Sequence, residues 1–324
     1  MFDTTLPMLL LAALILDAVI GDPDWMWRRC PHPVVVMGHL IDGFERALNR
    51  PSWSAFTRKI AGTGTAIALI GLAVATGLAL HLVARWHPAL VCLEVGIVAI
   101  LIAQRSLYSH VADVCVAFKA GGLPAARVSV SKIVGRDPET LDEAGVCRAA
   151  IETTAENLSD GIVAPAFWYL IAGLPGLIAY KLMNTADSMI GHRTERYRDF
   201  GWAAARLDDL LNLLPARLSA GLIALVAPIM GQSVIRTAHI AWCDAHLHKS
   251  PNAGWPEAAM AGVLGLALAG PRIYESVQVD DSWLNPRGRQ RATPDDIARC
   301  LTVYWASLIA HGALVGLIAI IAFW

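Results

Sequence analysis

Residues 61–84 and residues 301–324 each form a long run that carries no Asp, Glu, Lys or Arg and no proline. A helix needs about 20 predominantly apolar residues to cross the hydrocarbon core of a membrane, so each run predicts a membrane-spanning helix. The composition agrees, since 56% of the residues are hydrophobic and 16% are charged, against roughly 45 to 50% and about 25% in a soluble domain. We therefore predict an all-α fold, a polytopic integral membrane helical bundle that forms a single domain over residues 1–324.

Four further apolar segments extend the predicted set to six spans. Each of the first two contains one acidic residue, Asp17 in the segment 6–20 and Glu94 in the segment 88–104. The other two are interrupted by proline or glycine, which is typical of bent or half-inserted helices. The six predicted spans lie near residues 6–20, 61–84, 88–104, 161–180, 210–230 and 301–324.

The polar segments between these spans are all rich in Lys or Arg. They comprise residues 22–59, 105–160, 181–209 and 231–299. The positive-inside rule predicts that all four lie in the cytoplasm, which six strictly alternating spans do not allow. We therefore expect 161–180 and 210–230 to form a re-entrant pair whose polar tip, 181–209, returns to a one-sided active site. Two full crossings, which would place 181–209 outside, are the alternative.

Several classes of function are disfavoured by composition and motifs. The net charge of −1 gives no basic field for nucleic-acid phosphates. No GxxxxGK[ST] motif occurs, and the six cysteines show no CxxC pairing. Zinc is disfavoured for the cluster of His239, Cys243, His246 and His248, because the residues that follow, 250–257, are rich in turn formers and indicate a loop that shapes a ligand site.

One cluster places acids at helical spacing. Arg148, Glu152, Glu156 and Asp160 stand four residues apart, so a helix would present them along one stripe, with Asn157 beside Glu156. Adjacent carboxylates repel each other at neutral pH unless a cation lies between them. A solvated helix face is the simpler interpretation of this run.

Two more clusters combine Asp with Asn. Asn184, Asp187 and Ser188 would share one face of a helix, and Asp208 and Asn212 stand one turn apart at the start of an apolar segment, with Asp209 beside Asp208. Oxygen ligands of this kind suit Mg²⁺. The alternative for Asp208 and Asp209 is a favourable charge at a helix N-terminus.

Taken in order, these segments resemble the CobD/CbiB family of membrane-bound cobinamide-phosphate synthases. The resemblance covers about residues 17 to 275, most of the chain, and depends on short motifs. They are Gly21-Asp22-Pro23, Pro31-His32-Pro33-Val34, Val134-Gly135-Arg136-Asp137, Ala155-Glu156-Asn157 with Asp160-Gly161, Lys181 with Asn184 to Met189, Ala205 to Asp209 with Asn212 and Pro215-Ala216-Arg217, and Ser250 to Glu257. One position departs from the pattern: Pro138 stands where the family is expected to have Thr, and proline can begin a helix.

The resemblance implies an ATP-dependent amide ligase. Its substrates would be adenosylcobyric acid and (R)-1-aminopropan-2-ol or the O-phosphate of that amine, and its cofactors ATP and Mg²⁺. The implied location is the bacterial cytoplasmic (inner) membrane, with several crossings, a cytoplasmic active site and an association with other late cobalamin-pathway enzymes.

We assign roles to residues by their chemistry. Glu152, Glu156 and Lys181 are expected to be catalytic, a glutamate accepting the proton of the amine. Asp187, Asp208 and Asp209 are expected to share Mg²⁺. Arginine binds two phosphate oxygens at once, and the residues expected to bind substrate or phosphate are His32, Arg136, Asn157, Asn184, Ser188, Arg206, Asn212, Arg217, Asn252 and Glu257.

Three other functions fit parts of the sequence. An intramembrane prenyltransferase would use the Asn and Asp clusters to hold Mg²⁺-diphosphate, but it leaves residues 250–257 without a role. A corrinoid or ion transporter would also place carboxylates beside broken helices, but few charges lie in the middle of the spans. A scaffold for neighbouring pathway enzymes leaves the Asp, Asn and Arg clusters unexplained.

Overall fold

This computed structural model describes residues 5–135, 138–274, 277–279 and 281–324. Helices make up 78% of the structure, so the predicted all-α polytopic membrane fold is confirmed. The helices are α1 Leu6–Ile20, α2 Asp24–Trp27, α3 Pro33–Leu48, α4 Ala55–Trp86, α5 Val91–Leu101, α6 Gln104–Val130, α7 Glu143–Leu158, α8 Ala164–Ile190, α9 Trp202–Leu211, α10 Leu213–Leu225, α11 Val234–Asp244, α12 Gly254–Leu264 and α13 Pro294–Phe323.

Short strands occur between α12 and α13. β1 Leu268–Ala269 pairs antiparallel with β4 Trp283–Leu284, and β2 Arg272–Tyr274 pairs with β3 Val277–Val279. A 3-10 turn begins at Pro138, the position that departs from the family pattern.

Among the residues that the structure describes, four stretches are long and apolar enough to cross a membrane. They are Ala55–Trp86, Pro88–Val130, Glu143–Ile190 and Pro294–Phe323, and two shorter apolar helices cover Leu6–Ile20 and Leu213–Leu225. The predicted segment 210–230 is not one helix, because α10 covers 13 of its residues and a 3-10 turn follows at Ala227–Met230. Thirteen residues rise only about 20 Å, less than the roughly 30 Å of hydrocarbon. The single domain and the re-entrant pair stay predictions.

The contacts within the chain define two compact units. The first contains Met1–Ala103, Ala164–Asn212 and Val315–Trp324, and the second contains Gln104–Val163 and Leu213–Leu314. In the second unit α12 packs against α7, α10 and α11.

The first unit is built around close packing of α4 on α8. A Cβ added to Gly77 would lie 2.5 Å from the backbone N of Pro175, and one added to Gly62 would collide with the carbonyl oxygen of Phe200. Helix α8 breaks at Gly173, which has a φ of 61° just before Pro175, as its proline and glycine content predicts. Glycine therefore lets the backbone of α4 approach α8 at Gly77 and the segment before α9 at Gly62.

We expect Gly77→Ala to destabilise the protein by about 1 to 3 kcal/mol, because the new methyl group must displace the backbone at Pro175. Gly71→Ala, on the same helix with no atom within 4 Å of its added Cβ, is the matched control and should be neutral or stabilise by about 0.5 to 1 kcal/mol. Thermal unfolding in detergent measures both. Equal effects of the two substitutions would contradict the packing.

Candidate active site

Side chains of α8 and α9 meet at the carboxylate of Asp208. Its Oδ1 accepts a hydrogen bond from the side-chain amide of Asn184 at 3.2 Å, and its Oδ2 accepts one from Asn212 at 3.1 Å. The side-chain oxygen of Asn212 accepts from the Tyr180 hydroxyl at 2.9 Å. We call Tyr180, Asn184, Asp187, Asp208 and Asn212 the Asp208 cluster.

Helical spacing assembles this cluster. Tyr180 and Asn184 stand one turn apart on α8, and Asp208 and Asn212 stand one turn apart across the end of α9, so each pair projects from one face. Asn212 ends α9, where its backbone N–H donates to the Asp208 carbonyl at 3.0 Å. The sequence spacing thus predicts the local arrangement correctly.

The electrostatics of Asp208 are unusual for an aspartate. Its side chain is buried, with 8% exposed. Burial above all, together with the negative charges of Asp187 and, to a smaller extent, Asp209, raises its pKa to about 7, while the amide donors of Asn184 and Asn212 oppose the shift. A carboxylate in this position is costly when it is charged and has no cation nearby.

Asp209 does not join this cluster. It follows Asp208 on α9, so its side chain points about 100° away around the helix, and its Oδ2 lies 3.2 Å from Nη1 of Arg206. Across the described ranges, no three His, Cys, Asp or Glu side chains are close enough to hold a metal ion together. The geometry therefore gathers Asp187 and Asp208 and leaves Asp209 beside Arg206, while the Mg²⁺ role expected of the three aspartates stays a prediction.

The remaining carboxylates fit Mg²⁺. This cation is usually held by one or two carboxylates together with substrate phosphates. Asp187 and Asp208 supply that number, and a cation beside them would relieve the repulsion that raises the pKa of Asp208.

The connection between α8 and α9 is anchored to α3. The buried carboxylate of Glu45 accepts two hydrogen bonds from Arg196, at 2.9 and 2.8 Å, which hold the pKa of Glu45 below its ordinary value. Asn49 donates to Glu45 at 2.9 Å and to the carbonyl oxygen of Arg196 at 3.0 Å. These bonds fix the segment that joins Asp187 to Asp208.

Two other predicted residues of the first unit, His32 and Ser188, lie near the ends of helices. His32 caps α3, where its Nδ1 accepts from the backbone N–H of Val34 at 3.2 Å, and its Nε2 lies 3.8 Å from Asp22. Burial lowers the pKa of His32, Asp22 opposes the shift and Lys181 adds to it. Ser188 donates to the Asn184 carbonyl at 3.0 Å.

In the second unit, α7 holds the short ribbon of β1 and β4. The Glu152 side chain is buried, and its Oε1 accepts from the backbone N–H of Ala269 at 2.8 Å. The guanidinium of Arg148 lies 5.1 Å from the ring centre of Trp283, which pairs with Ala269. Glu152 therefore has a structural role that the sequence did not indicate.

The end of α7 carries two more predicted site residues, Glu156 and its neighbour Asn157. Glu156 is exposed one turn after Glu152, and Asn157 donates to the Thr153 carbonyl at 3.0 Å. Residues Ser159–Val163 then form a π-helical turn, so Asp160 lies beyond the regular helix. Such turns are frequent at functional sites.

Arg217, Asn252 and Glu257 lie around the start of α12. Nη1 of Arg217 donates to Oδ1 of Asn252 at 3.3 Å, and its guanidinium lies 4.6 Å from the ring centre of Trp255. The Glu257 side chain is buried, and its Oε1 lies 3.7 Å from Nε2 of His248. The predicted loop 250–257 is half helical, because α12 begins at Gly254, and it brings Asn252 and Trp255 to Arg217. Arg136 lies outside the described residues.

Sequence reasoning missed Tyr180 and Trp255. Tyr180 stands four residues before Asn184, so a search along the helical face would have found it. Trp255 lies within the predicted loop, and its stacking on Arg217 is a long-range contact that spacing does not reveal.

A family model described as CobD/Cbib protein matches residues 10–304. The chain belongs to the CobD/CbiB family. Relatives named "Cobalamin biosynthesis protein CobD" match almost its whole length. The protein of Sinorhizobium sp is 51% identical over 98% of this chain and 99% of the relative, that of Rhizobium meliloti (strain 1021) is 52% identical over 93% of each, and that of Rhodobacter capsulatus is 46% identical over 97% of each. No solved structure matches the chain.

Without Mg²⁺, we expect the stability supplied by Asp208 to fall as the pH rises from about 4 to about 7. The folded protein keeps a proton on Asp208 up to about pH 7, whereas an unfolded Asp titrates near pH 3.9. The folded state therefore binds more protons in this window, and its stability falls as they are lost. The difference in Tm between Asp208→Asn and the wild type, measured in detergent, should grow by about 4 °C or more in favour of the variant.

Mg²⁺ provides the matched test at pH 8. It should raise the Tm of the wild type and raise that of Asp208→Asn much less, because only the wild type keeps both charged ligands, Asp187 and Asp208. A Tm difference that does not vary with pH or with Mg²⁺ would contradict the account.

Proposed function

We propose that this CobD/CbiB protein is a cobalamin-pathway enzyme that joins adenosylcobyric acid to (R)-1-aminopropan-2-ol, or to its O-phosphate, in an ATP-dependent reaction. Two independent lines support the proposal. The chain is similar to cobalamin biosynthesis proteins along nearly its whole length, and the Asp208 cluster has the chemistry of a Mg²⁺-nucleotide site. The second line, the buried Asp208 beside Asp187, is the observation that carries it.

The reaction explains why such a site is needed. A carboxylate is a poor acyl donor, so its oxygen would attack the γ-phosphorus of ATP and release ADP. The neutral amine would then attack the acyl carbon of the resulting acyl phosphate and release phosphate. Mg²⁺ held by Asp187 and Asp208 would neutralise the phosphate oxygens.

Arginines supply the remaining phosphate chemistry. Arg206 lies on α9 two residues before Asp208, and its guanidinium is exposed. Arg217 is fixed by Asn252 and Trp255, so little side-chain entropy would be lost when it binds an anion. We propose that each contacts phosphate or a carboxylate of the substrates.

Glu156 is the better candidate for the group that accepts the amine proton. It is exposed beside the π-helical turn, whereas Glu152 is buried against the backbone of Ala269. A general base must reach the proton that it removes, which favours the exposed residue.

The proposal is tested with purified protein in lipid nanodiscs. ATP, Mg²⁺, adenosylcobyric acid and each amine are supplied in turn, and the amide product is measured by mass. We expect amide formation that requires both ATP and Mg²⁺. Hydrolysis of ATP without amide, or no reaction with either amine, would contradict the proposed activity.

Asp187→Asn and Asp208→Asn should each lower turnover by about 100-fold or more and raise the Mg²⁺ concentration for half-maximal activity, because a neutral amide binds Mg²⁺ poorly. Asp209→Asn is the control on the same helix, since Asp209 pairs with Arg206, and it should change turnover by less than about fivefold. Equal losses of turnover in all three variants would contradict the two-aspartate site and support one in which all three aspartates bind Mg²⁺. Full activity in all three variants would contradict any role of these residues in binding Mg²⁺.

Glu156→Gln should lower kcat by about 10² to 10⁴-fold with little change in stability. Glu152→Ala should lower the stability by about 1 to 3 kcal/mol, because the N–H of Ala269 loses its acceptor. The folded fraction of this variant should keep a kcat close to that of the wild type. Turnover and thermal unfolding of both variants separate the two roles. A kcat for Glu156→Gln equal to that of the wild type would exclude Glu156 as the base.

A further inference from the structure

The first unit contains a large apolar cavity that the proposed reaction does not use. It has a volume of about 430 Å³ and lies between α3, α4, α5 and α8. Thr76 has the one polar side chain among the lining residues that the structure describes. Cavities of this size hold small ligands, and these apolar walls offer water almost no hydrogen-bond partners.

The walls of the cavity belong to membrane-spanning structure. Its α4 residues run from Leu72 to Leu80, inside the uncharged run 61–84. These eight steps extend about 12 Å along the helix. Ile97 and Ile100 of α5 form another part of the wall, and the stretch that contains α5 is also apolar enough to cross a membrane.

The segment just before one edge of the cavity has the features of a membrane interface. Pro31 and Pro33 line this edge, and the residues just before Pro31 include Trp25, which is 64% exposed, and the exposed side chains of Arg28 and Arg29. Trp and Arg are enriched at the level of the lipid headgroups. Arginines at that level attract anionic lipids by about 1 kcal/mol per residue.

We propose that this cavity binds one acyl chain of an anionic phospholipid, whose phosphate lies at Arg28 and Arg29. The apolar walls match the chain and the two arginines match the headgroup. The corrinoid substrate does not fit, because its many polar amides would lose their hydrogen bonds to water against these walls. The lining residues of this site include none of those assigned to the proposed ligase activity.

The proposed position of the acyl chain is tested by substitutions that fill the cavity. Thr76→Phe places a ring in it from an exposed position of α4, and Ala75→Phe places the same ring on the exposed surface of the next residue, which does not line the cavity. Binding of phosphatidylglycerol to delipidated protein in detergent is measured by native mass spectrometry. Thr76→Phe should weaken binding by about tenfold or more, and Ala75→Phe should leave it unchanged.

Leu72→Trp fills the cavity from a second exposed position and should act like Thr76→Phe, which guards against misfolding of one variant. A Tm near that of the wild type confirms that each variant is folded. Equal binding by the filled variants and by Ala75→Phe would overturn the proposed position of the chain.

The headgroup is tested by comparing two lipids with the same chains. The wild type should bind phosphatidylglycerol about tenfold more tightly than phosphatidylcholine. In the double variant Arg28→Gln/Arg29→Gln this preference should disappear while binding of phosphatidylcholine is kept. Equal binding of the two lipids by the wild type would overturn the proposal that the headgroup is anionic.

Discussion

The candidate site depends on one buried carboxylate. Asp208 is held by the amides of Asn184 and Asn212 and lies near Asp187. Burial and a neighbouring negative charge both oppose its ionisation, so the cluster is at its lowest free energy with a proton or a cation present. A site of this kind suits an enzyme that must bind Mg²⁺ together with nucleotide phosphates. The cation would offset the unfavourable electrostatic free energy of a buried carboxylate beside another negative charge.

Close backbone packing makes this arrangement possible. Gly77 and Gly62 bring α4 against α8 and against Phe200, and Gly201 brings the start of α9 against the carbonyl oxygen of Ile190. Gly191 lets the chain after α8 pass close to the Asp187 carboxylate, because a Cβ at this residue would collide with Oδ1. Small residues therefore set the distance between the helices that carry Asp187 and Asp208.

Much of the fold and part of the site can be predicted from the sequence. The uncharged run 61–84 lies within one long helix, and i, i+4 spacing correctly placed Asn212 beside Asp208, because both depend on local chemistry. Local spacing also made Asp208 and Asp209 look equivalent, although adjacent helical residues point in different directions. The hydrogen bond from Ala269 to Glu152 joins residues 117 positions apart, and no local pattern contains that information.

The central proposal, that Asp208 is a buried carboxyl group whose ionisation Mg²⁺ would favour, is tested most directly by infrared difference spectroscopy of the wild type against Asp208→Asn. Without Mg²⁺, the band of the protonated carboxyl group should be present at pH 6 and disappear with a midpoint near pH 7. With Mg²⁺, the band should be absent at pH 6, because the cation favours the carboxylate. A band that titrates near pH 4, or one that Mg²⁺ does not change, would contradict the account.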